Sequence, residues 1–405
     1  MNKCIFLLPL LLLIPFWCPA EKFWVDSISL NQSIPCDYSL PCKSVDDFAE
    51  KLLSGDEVIF KKGSYKPLVI ANIQGNINNP IIFKSEDGEV IFEHTANAKE
   101  RDLIEFRNVK NVVLSGVTFN RARRASIRVN NSIGVTINNN IINESGVWGI
   151  FTNHSNDVQI LNNNISGTSR QHGIYISNSG DGVLIQGNTI ERALSCGIHI
   201  NGDLSQGGGK LVLGDGIISN IRITENVISN VGLKGGAAIN LDGAVNVEIE
   251  KNILWNLNSA GITIFKGDGA LSSYNVDVKN NLIYLNESSR WALIVNNSSG
   301  PIFFHKNIVL SESYNRGVFE ISSEKIKIPL ASYQNFFALT GNIASINNDF
   351  ILNLDDWVEL SGGSDVKSEV FSFKEFFSDS EKLYQIKAVY QLQDFYQKLK
   401  AKITP

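Results

Sequence analysis

Three things are scarce in this chain, and each scarcity removes a class of protein. Only 5 cysteines occur among 405 residues, at positions 4, 18, 36, 42 and 196. No second ligand pair follows Cys36 and Cys42, so no zinc spacing stands out. Basic residues are not concentrated: 36 Lys and Arg oppose 41 Asp and Glu, for a net charge of -5. Nucleic-acid binding needs clustered cations to neutralise phosphates, and the run Arg121, Arg123, Arg124, Arg128 is the exception rather than the rule. Long apolar stretches are missing after the first residues, which argues against an integral membrane span. Gly207-Gly-Gly209 has no following Lys-Ser/Thr, so it is a flexible loop and not a phosphate cradle. No nucleophile elbow is present.

What the chain does have is a recurring asparagine, at Asn140, Asn163, Asn188, Asn226, Asn252, Asn281 and Asn307. The intervals are 23, 25, 38, 26, 29 and 26 residues. Each asparagine follows a strand-like frame, as in Val158-Gln-Ile-Leu-Asn-Asn163 and Val276-Asp-Val-Lys-Asn-Asn281. Periods of this size are the mark of a solenoid, in which each repeat buries its apolar face only against its neighbours. The ladder itself reads as structural, because stacked amides at a corner bond to one another and to the backbone.

A second strand recurs in every repeat: Ser126-Ile-Arg-Val129, Gly149-Ile-Phe-Thr152, Gly173-Ile-Tyr-Ile176, Gly197-Ile-His-Ile200, Ala238-Ile-Asn-Leu241, Gly261-Ile-Thr-Ile264 and Ala292-Leu-Ile-Val295. Short apolar runs separated by Gly, Asn and Ser suit parallel strands with tight corners. The 38-residue interval carries an insertion, Asp203 to Gly216, expected to leave one face of the stack.

The ends differ from the middle. Lys3, the apolar run Ile5 to Phe16 and Cys18-Pro19-Ala20 read as a secretory signal, with a secreted or periplasmic chain beginning near Glu21. In that oxidising setting Cys36 and Cys42 are expected to form a disulfide. Cys196 reads as a buried small apolar residue. Ser44 to Leu53 has helical spacing, with Val45, Phe48, Ala49, Leu52 and Leu53 on one face, and is expected to cap the first coil. The expected divisions are a signal over 1–20, an N-terminal cap over 21–70, a wound region over 71–325, and last coils with a cap over 326–405. Phe371 to Lys400 is expected to be partly helical.

Gly55-Asp56-Glu-Val-Ile-Phe-Lys-Lys-Gly63-Ser-Tyr65 with Asn79-Pro-Ile-Ile-Phe83 at one end, and Trp357-Val-Glu-Leu-Ser-Gly-Gly-Ser-Asp365-Val-Lys-Ser368 at the other, resemble the right-handed parallel β-helix proteins of the pectate-lyase-like group. The resemblance covers about residues 44 to 380. It implies an all-β solenoid with a capping helix at its N-terminal end and a partly helical C-terminal cap. It also implies action on polysaccharide, as in the lyases of alginate and dermatan and the mannuronan epimerases. Two departures matter. The Glu-rich, Lys-containing strand of the calcium-dependent lyases is replaced here by Ala238-Ile-Asn240-Leu-Asp242-Gly, and the epimerases' D-P-H-D signature is absent. Gln171-His172-Gly-Ile-Tyr-Ile-Ser177 is similar to an H-G-I strand of the epimerases.

Stacking turns the period into proximity. Parallel strands lie about 4.8 Å apart, so equivalent positions form columns. The outward position of the second strand reads Arg128, Phe151, Tyr175, His199, Asn240, Thr263, and the next outward position reads Asn130, Asn153, Ser177, Asn201, Asp242, Phe265. A base, an acid and a carboxylate partner on one face are what β-elimination from a uronate needs. The expected catalytic set is His199 as base, Tyr175 as acid or second base, Arg170 or Asn240 as carboxylate partner, with His172 nearby. Asn240, Asp242, Asn201, Arg128, Phe151 and Lys266 are expected to line an extended polysaccharide. No cofactor is required, although Asp242 with Asp268 is a candidate calcium pair. The same parts fit a C5-epimerase, and a non-catalytic carbohydrate-binding or surface structural protein is the alternative from another class.

Overall fold

The computed structural model describes residues 20–373 except 87, 97, 210–212, 268–269, 323–329 and 366. The expected signal, and nearly all of the stretch from Phe371 to Lys400 expected to be partly helical, lie outside the described residues. Three sheets of thirteen, twelve and twelve strands wind around one interior. A single coil shows the pattern: Ala125–Asn130, Ile133–Asn138 and Ile141–Ser145 go to three different sheets. The next strand, Trp148–Asn153, then returns to lie parallel on Ala125–Asn130. In the twelve-stranded sheet that carries Tyr175 and His199, eleven strands are parallel, and only Asp349–Ile351 runs antiparallel.

The corners follow from local chemistry. The residue before each ladder asparagine sits in the left-handed region: Asn139 (φ 54), Asn162 (φ 53), Gly187 (φ 68), Glu225 (φ 58), Lys251 (φ 55), Asn280 (φ 54) and Lys306 (φ 55). That turn sends the following asparagine inward, where each is at most 1 % exposed. The side-chain oxygen then accepts from both the backbone N–H and the amide of the preceding rung. Asn226 Oδ1, for example, accepts from Asn188 N at 2.9 Å and Asn188 Nδ2 at 3.0 Å. The ladder continues one rung past the sequence frame to Asn335. It ends on the buried Asp365, which accepts from Asn335 Nδ2 at 3.0 Å and from Trp357 Nε1 at 2.8 Å.

Both ends are closed by aromatic side chains. Phe48 stacks on Phe23 at 4.8 Å at the N-terminal end, and the fully buried Trp357 stacks on Phe319 at 4.8 Å at the other. The capping helix expected over Ser44 to Leu53 is instead two 3-10 turns, Val45–Asp47 and Ala49–Lys51. Phe48 separates them with φ -147 and ψ 0, outside the helical region, and the face is broken there. Val45, Phe48 and Leu52 are buried as expected, but Leu53 is 55 % exposed. The C-terminal cap contains the helix Leu354–Leu360, started by Asn353, whose side chain accepts from Asp356 N. Wound strands also occur outside 71–325, at Lys22–Val25 and Phe336–Leu339. Cys36 and Cys42 are joined as a disulfide.

Candidate functional site

The outward face of the sheet carrying Tyr175 and His199 holds the candidate site. Backbone pairing places Arg128 beside Phe151, Phe151 beside Tyr175, Tyr175 beside His199, His199 beside Asn240 and Asn240 beside Thr263. The second column, from Asn130 through Asn153, Ser177, Asn201 and Asp242 to Phe265, is aligned by the same pairings. The strands of Tyr175 and His199 are each entered through a glycine, Gly173 and Gly197, that nothing larger can replace. A Cβ on Gly173 would lie 2.5 Å from Ile190 Cγ2 and 2.8 Å from Gly197 O, and one on Gly197 would lie 2.5 Å from Ile228 Cγ2. These close approaches hold successive coils in register at the site.

The rings form a continuous run. Trp148 stacks on Phe151 at 4.4 Å, Phe151 meets Tyr175 at 5.4 Å, Tyr175 meets His199 at 4.9 Å, and His172 stacks on His199 at 4.4 Å. Arg128 lies over the Phe151 ring at 5.4 Å and 3.7 Å from the Asp102 carboxylate. Arg124 also holds Asp102, donating from Nε at 2.7 Å. At this end of the run Arg124 and Arg128 share the Asp102 carboxylate, and Glu105 pairs in register with Arg128.

Burial sets the protonation states. The pKa of His199 is pushed down to about 4 by burial, and that of His172 to about 3 by burial and the neighbouring His199. Both rings are neutral at neutral pH. Asn240 Nδ2 lies 2.6 Å from His199 Nδ1, while Asn240 Oδ1 accepts from Thr263 Oγ1. The threonine fixes the amide, so Asn240 donates to Nδ1 and the ring proton of His199 sits on Nε2. His172 Nδ1 accepts from Cys196 N at 3.2 Å, which likewise leaves its proton on Nε2. Tyr175 Oη accepts from Asn201 Nδ2 at 3.4 Å.

Not every expected residue is drawn in. Arg170 is exposed in the turn before Ile174–Asn178 and, among the described residues, has no hydrogen bond to Tyr175 or His199. Lys266 is exposed, and the neighbouring Gly267 N–H donates to Asp242 Oδ1 at 2.6 Å. Asp268, half of the candidate calcium pair, lies outside the described residues. The inserted loop runs back over earlier coils. Leu213 N donates to Asn131 Oδ1 at 2.9 Å, and Leu213 O lies 3.1 Å from His154 Nδ1.

Two residues went unrecognised in the sequence. Trp148 and Cys196 belong with His172 to a third column, each one residue ahead of its glycine. The Gly149 N–H donates to His172 O and the Gly173 N–H to Cys196 O, which ties this column from coil to coil. The signal was legible as Trp148-Gly149, His172-Gly173 and Cys196-Gly197. Strict alternation counted back from the outward Tyr175 and His199 points that position inward, which obscures the signal.

No helix of the described residues is long and apolar enough to cross a membrane. A family model described as the right-handed beta helix region matches residues 148–328, and one described as periplasmic copper-binding protein (NosD) matches residues 49–212. No curated protein matches the chain. Among solved structures it is similar to PfbA, a surface adhesin of Streptococcus pneumoniae, at 14% identity and a TM-score of 0.58, over 74% of this chain and 86% of that one. It is also similar to the pectate lyase Pel9A, at 12% identity and a TM-score of 0.51, over 73% and 78%. Wound parallel sheets, the matching family model and these neighbours agree: the chain is a right-handed parallel β-helix, and its likeness to the pectate-lyase-like group is one of fold.

Proposed function

We propose that this face binds an extended, uronate-bearing polysaccharide along the coil axis and cleaves it by β-elimination. The observation that carries the reading is the in-register contact of Tyr175, His199 and Asn240, with the Trp148 and Phe151 rings and the Arg128 cation one and two coils away. Rings offer faces for sugars, and Arg128 is proposed to supply a cation for a carboxylate, while Arg124 holds Asp102 beside it. A secreted or periplasmic chain would meet such polymers.

The hydrogen bonds favour roles that differ from those expected from the sequence. The lone pair of His199 Nδ1 is taken by Asn240, so His199 is proposed as a donor through Nε2–H to the uronate carboxylate, where charge develops as the C5 proton leaves. Tyr175, as its phenolate, is proposed as the base, because its oxygen is oriented by the Asn201 amide and its ring lies beside His199 on the same face. The C5–H bond breaks to Tyr175, the C4–C5 double bond forms, and the C4–O bond breaks. The proton then passes from Tyr175 to the departing oxygen, so the step balances without water.

The test is ultraviolet absorbance of the unsaturated uronate end, with alginate, pectate and glycosaminoglycans as substrates. Tyr175→Phe and His199→Ala are each expected to lower the rate by about 100-fold or more, with binding in an affinity gel retained. Activity unchanged in both variants would place the chemistry elsewhere. The Trp148–Phe151 stack favours a second reading, a non-catalytic carbohydrate binder, since it offers a sugar platform without any proton transfer. Retardation in the gel with no absorbance on any polymer would decide for it, and a changed sugar ratio without chain scission would decide for epimerisation.

A further inference from the structure

We infer that His172, Cys196 and His199 form a binding site for a soft monovalent cation of the copper(I) or silver(I) type. The three side chains each offer a ligand atom within 4.8 Å of the others. A triangle of that edge has its centre about 2.8 Å from each corner, against the roughly 2.0–2.3 Å of metal–nitrogen and metal–sulfur bonds, so closure asks about half an ångström of each side chain. Sequence spacing hides the set, because one histidine lies a whole coil before the other two ligands.

The lone pairs converge on Cys196. His199 Nδ1 is 3.9 Å from Cys196 Sγ, and His172 Nδ1 faces the Cys196 backbone N–H. In both rings the proton is already on Nε2, the state in which Nδ1 can ligate. What the cation must displace is modest: one N–H bond of 3.2 Å on His172 and the Asn240 amide on His199.

Charge balance and donor type select the ion. Cys196 is buried and free of any disulfide, and a thiol ligates as its thiolate. Binding therefore exchanges the thiol proton for the metal: one H⁺ leaves to solvent as one S–metal bond forms. Two neutral imidazoles, one thiolate and a monovalent ion sum to zero charge, which a buried pocket tolerates. A divalent ion would leave a net positive charge buried there. Thiolate with imidazole is a soft donor set, favouring copper(I) over hard cations. Met1 is the chain's one methionine, so no thioether from a coil completes a site of the blue-copper kind. Cys196 and His172 have no part in the proposed elimination, and the two readings share only His199, through opposite nitrogens of its ring.

The experiment titrates the full chain with copper(I), kept reduced by ascorbate, against a chromophoric copper(I) chelator. Wild type is compared with Cys196→Ser and His172→Gln. Each variant is expected to bind one equivalent fewer at the chelator concentration where wild type holds it, an affinity drop of about 100-fold or more. The thiolate-to-copper absorption should be lost with it. Cys196→Ser should retard in the polysaccharide affinity gel as wild type does, which separates failure of this site from failure of the groove. Equal copper(I) uptake by wild type and Cys196→Ser overturns the inference, as does retention of zinc(II) in preference to copper(I). Should Cys196→Ser fail to fold, His172→Gln and the absorption of the wild-type complex still decide it.

Discussion

Replacing Asn226 by alanine tests what holds the coils in register. Asn226 is fully buried, and its Oδ1 is the acceptor for the Asn188 backbone N–H at 2.9 Å and the Asn188 amide at 3.0 Å. Its own amide donates to Ile185 O at 2.9 Å and to Asn252 Oδ1 at 3.0 Å. Alanine would leave the Asn188 N–H with no partner in a dry corner, since a backbone N–H has one bond to give. The Asn188 amide is less affected, because it also donates to Ile160 O and Gln186 O. One stranded buried N–H costs about 1–3 kcal/mol, and the void and the lost Ile185 contact bring the expected loss to about 2–4 kcal/mol. The control is Asn143→Ala, which removes a half-buried strand amide donating to Asn120 Oδ1 at 3.0 Å. It should cost less than about 1 kcal/mol. Urea unfolding followed by far-ultraviolet circular dichroism gives both midpoints, compared at unchanged slope. If the two variants fall within about 0.5 kcal/mol of each other, the interior amide ladder is not what sets coil register.

Three further outcomes follow from charge and ring geometry. Acid should loosen the coils at the histidine pair. The folded-state values of about 4 for His199 and about 3 for His172 lie below the ordinary 6.5, so the unfolded chain binds protons first. Stability is thus complete above about pH 6.5 and falls as the pH drops toward 4, by roughly 2 kcal/mol for His199 at pH 5. Urea midpoints at pH 7 and pH 5 should differ in wild type and much less in a His172→Gln, His199→Gln double variant; equal differences would count against the buried neutral rings. Arg124→Ala should destabilise by about 3 kcal/mol, because Asp102 is buried and would keep only the Ala125 N–H bond and the longer Arg128 contact, whereas exposed Arg107→Ala should cost under about 1 kcal/mol. Thermal unfolding of the two variants checks the ordering. Trp148→Ala should weaken polysaccharide retardation about 10-fold without altering the urea midpoint by more than about 1 kcal/mol.

The columns were readable from sequence because a solenoid has one long-range rule: equivalent positions in successive repeats touch. Once the asparagine period and the Gly-Ile-x-Ile frame are found, the contact between Tyr175 and His199 follows from counting. The third column was hidden because alternation is a rule for strand interiors, and Trp148, His172 and Cys196 sit where the chain is still leaving its corner. The end of the ladder was hidden for another reason. Asn335 keeps the frame only approximately, and Asp365 replaces an asparagine from a different local structure, a turn after a helix. The short 3-10 turns at Ser44 to Leu53 were misread because apolar spacing reports which residues are buried and says little about how the backbone between them closes. The direction of the inserted loop rests on the Leu213 contacts with Asn131 and His154, residues far apart in sequence with no periodic relation.

The two proposals draw on one ring without asking it to do two incompatible things. An imidazole has two nitrogens with opposite roles in its neutral form, one donor and one acceptor. The proposed elimination uses the donor, His199 Nε2–H, and the proposed cation takes the acceptor, His199 Nδ1. Filling Nδ1 with a cation displaces the Asn240 amide but keeps the proton on Nε2, so the donor survives metal binding and is made more acidic by it. Asn240 is then the residue whose role changes: free of metal it fixes the tautomer, and with metal it is released toward Thr263. The binding of a soft ion and the handling of a uronate therefore couple through a single amide. Coupling of this kind is reciprocal, so a polysaccharide that binds more tightly with copper(I) present must in turn tighten copper(I) by the same factor.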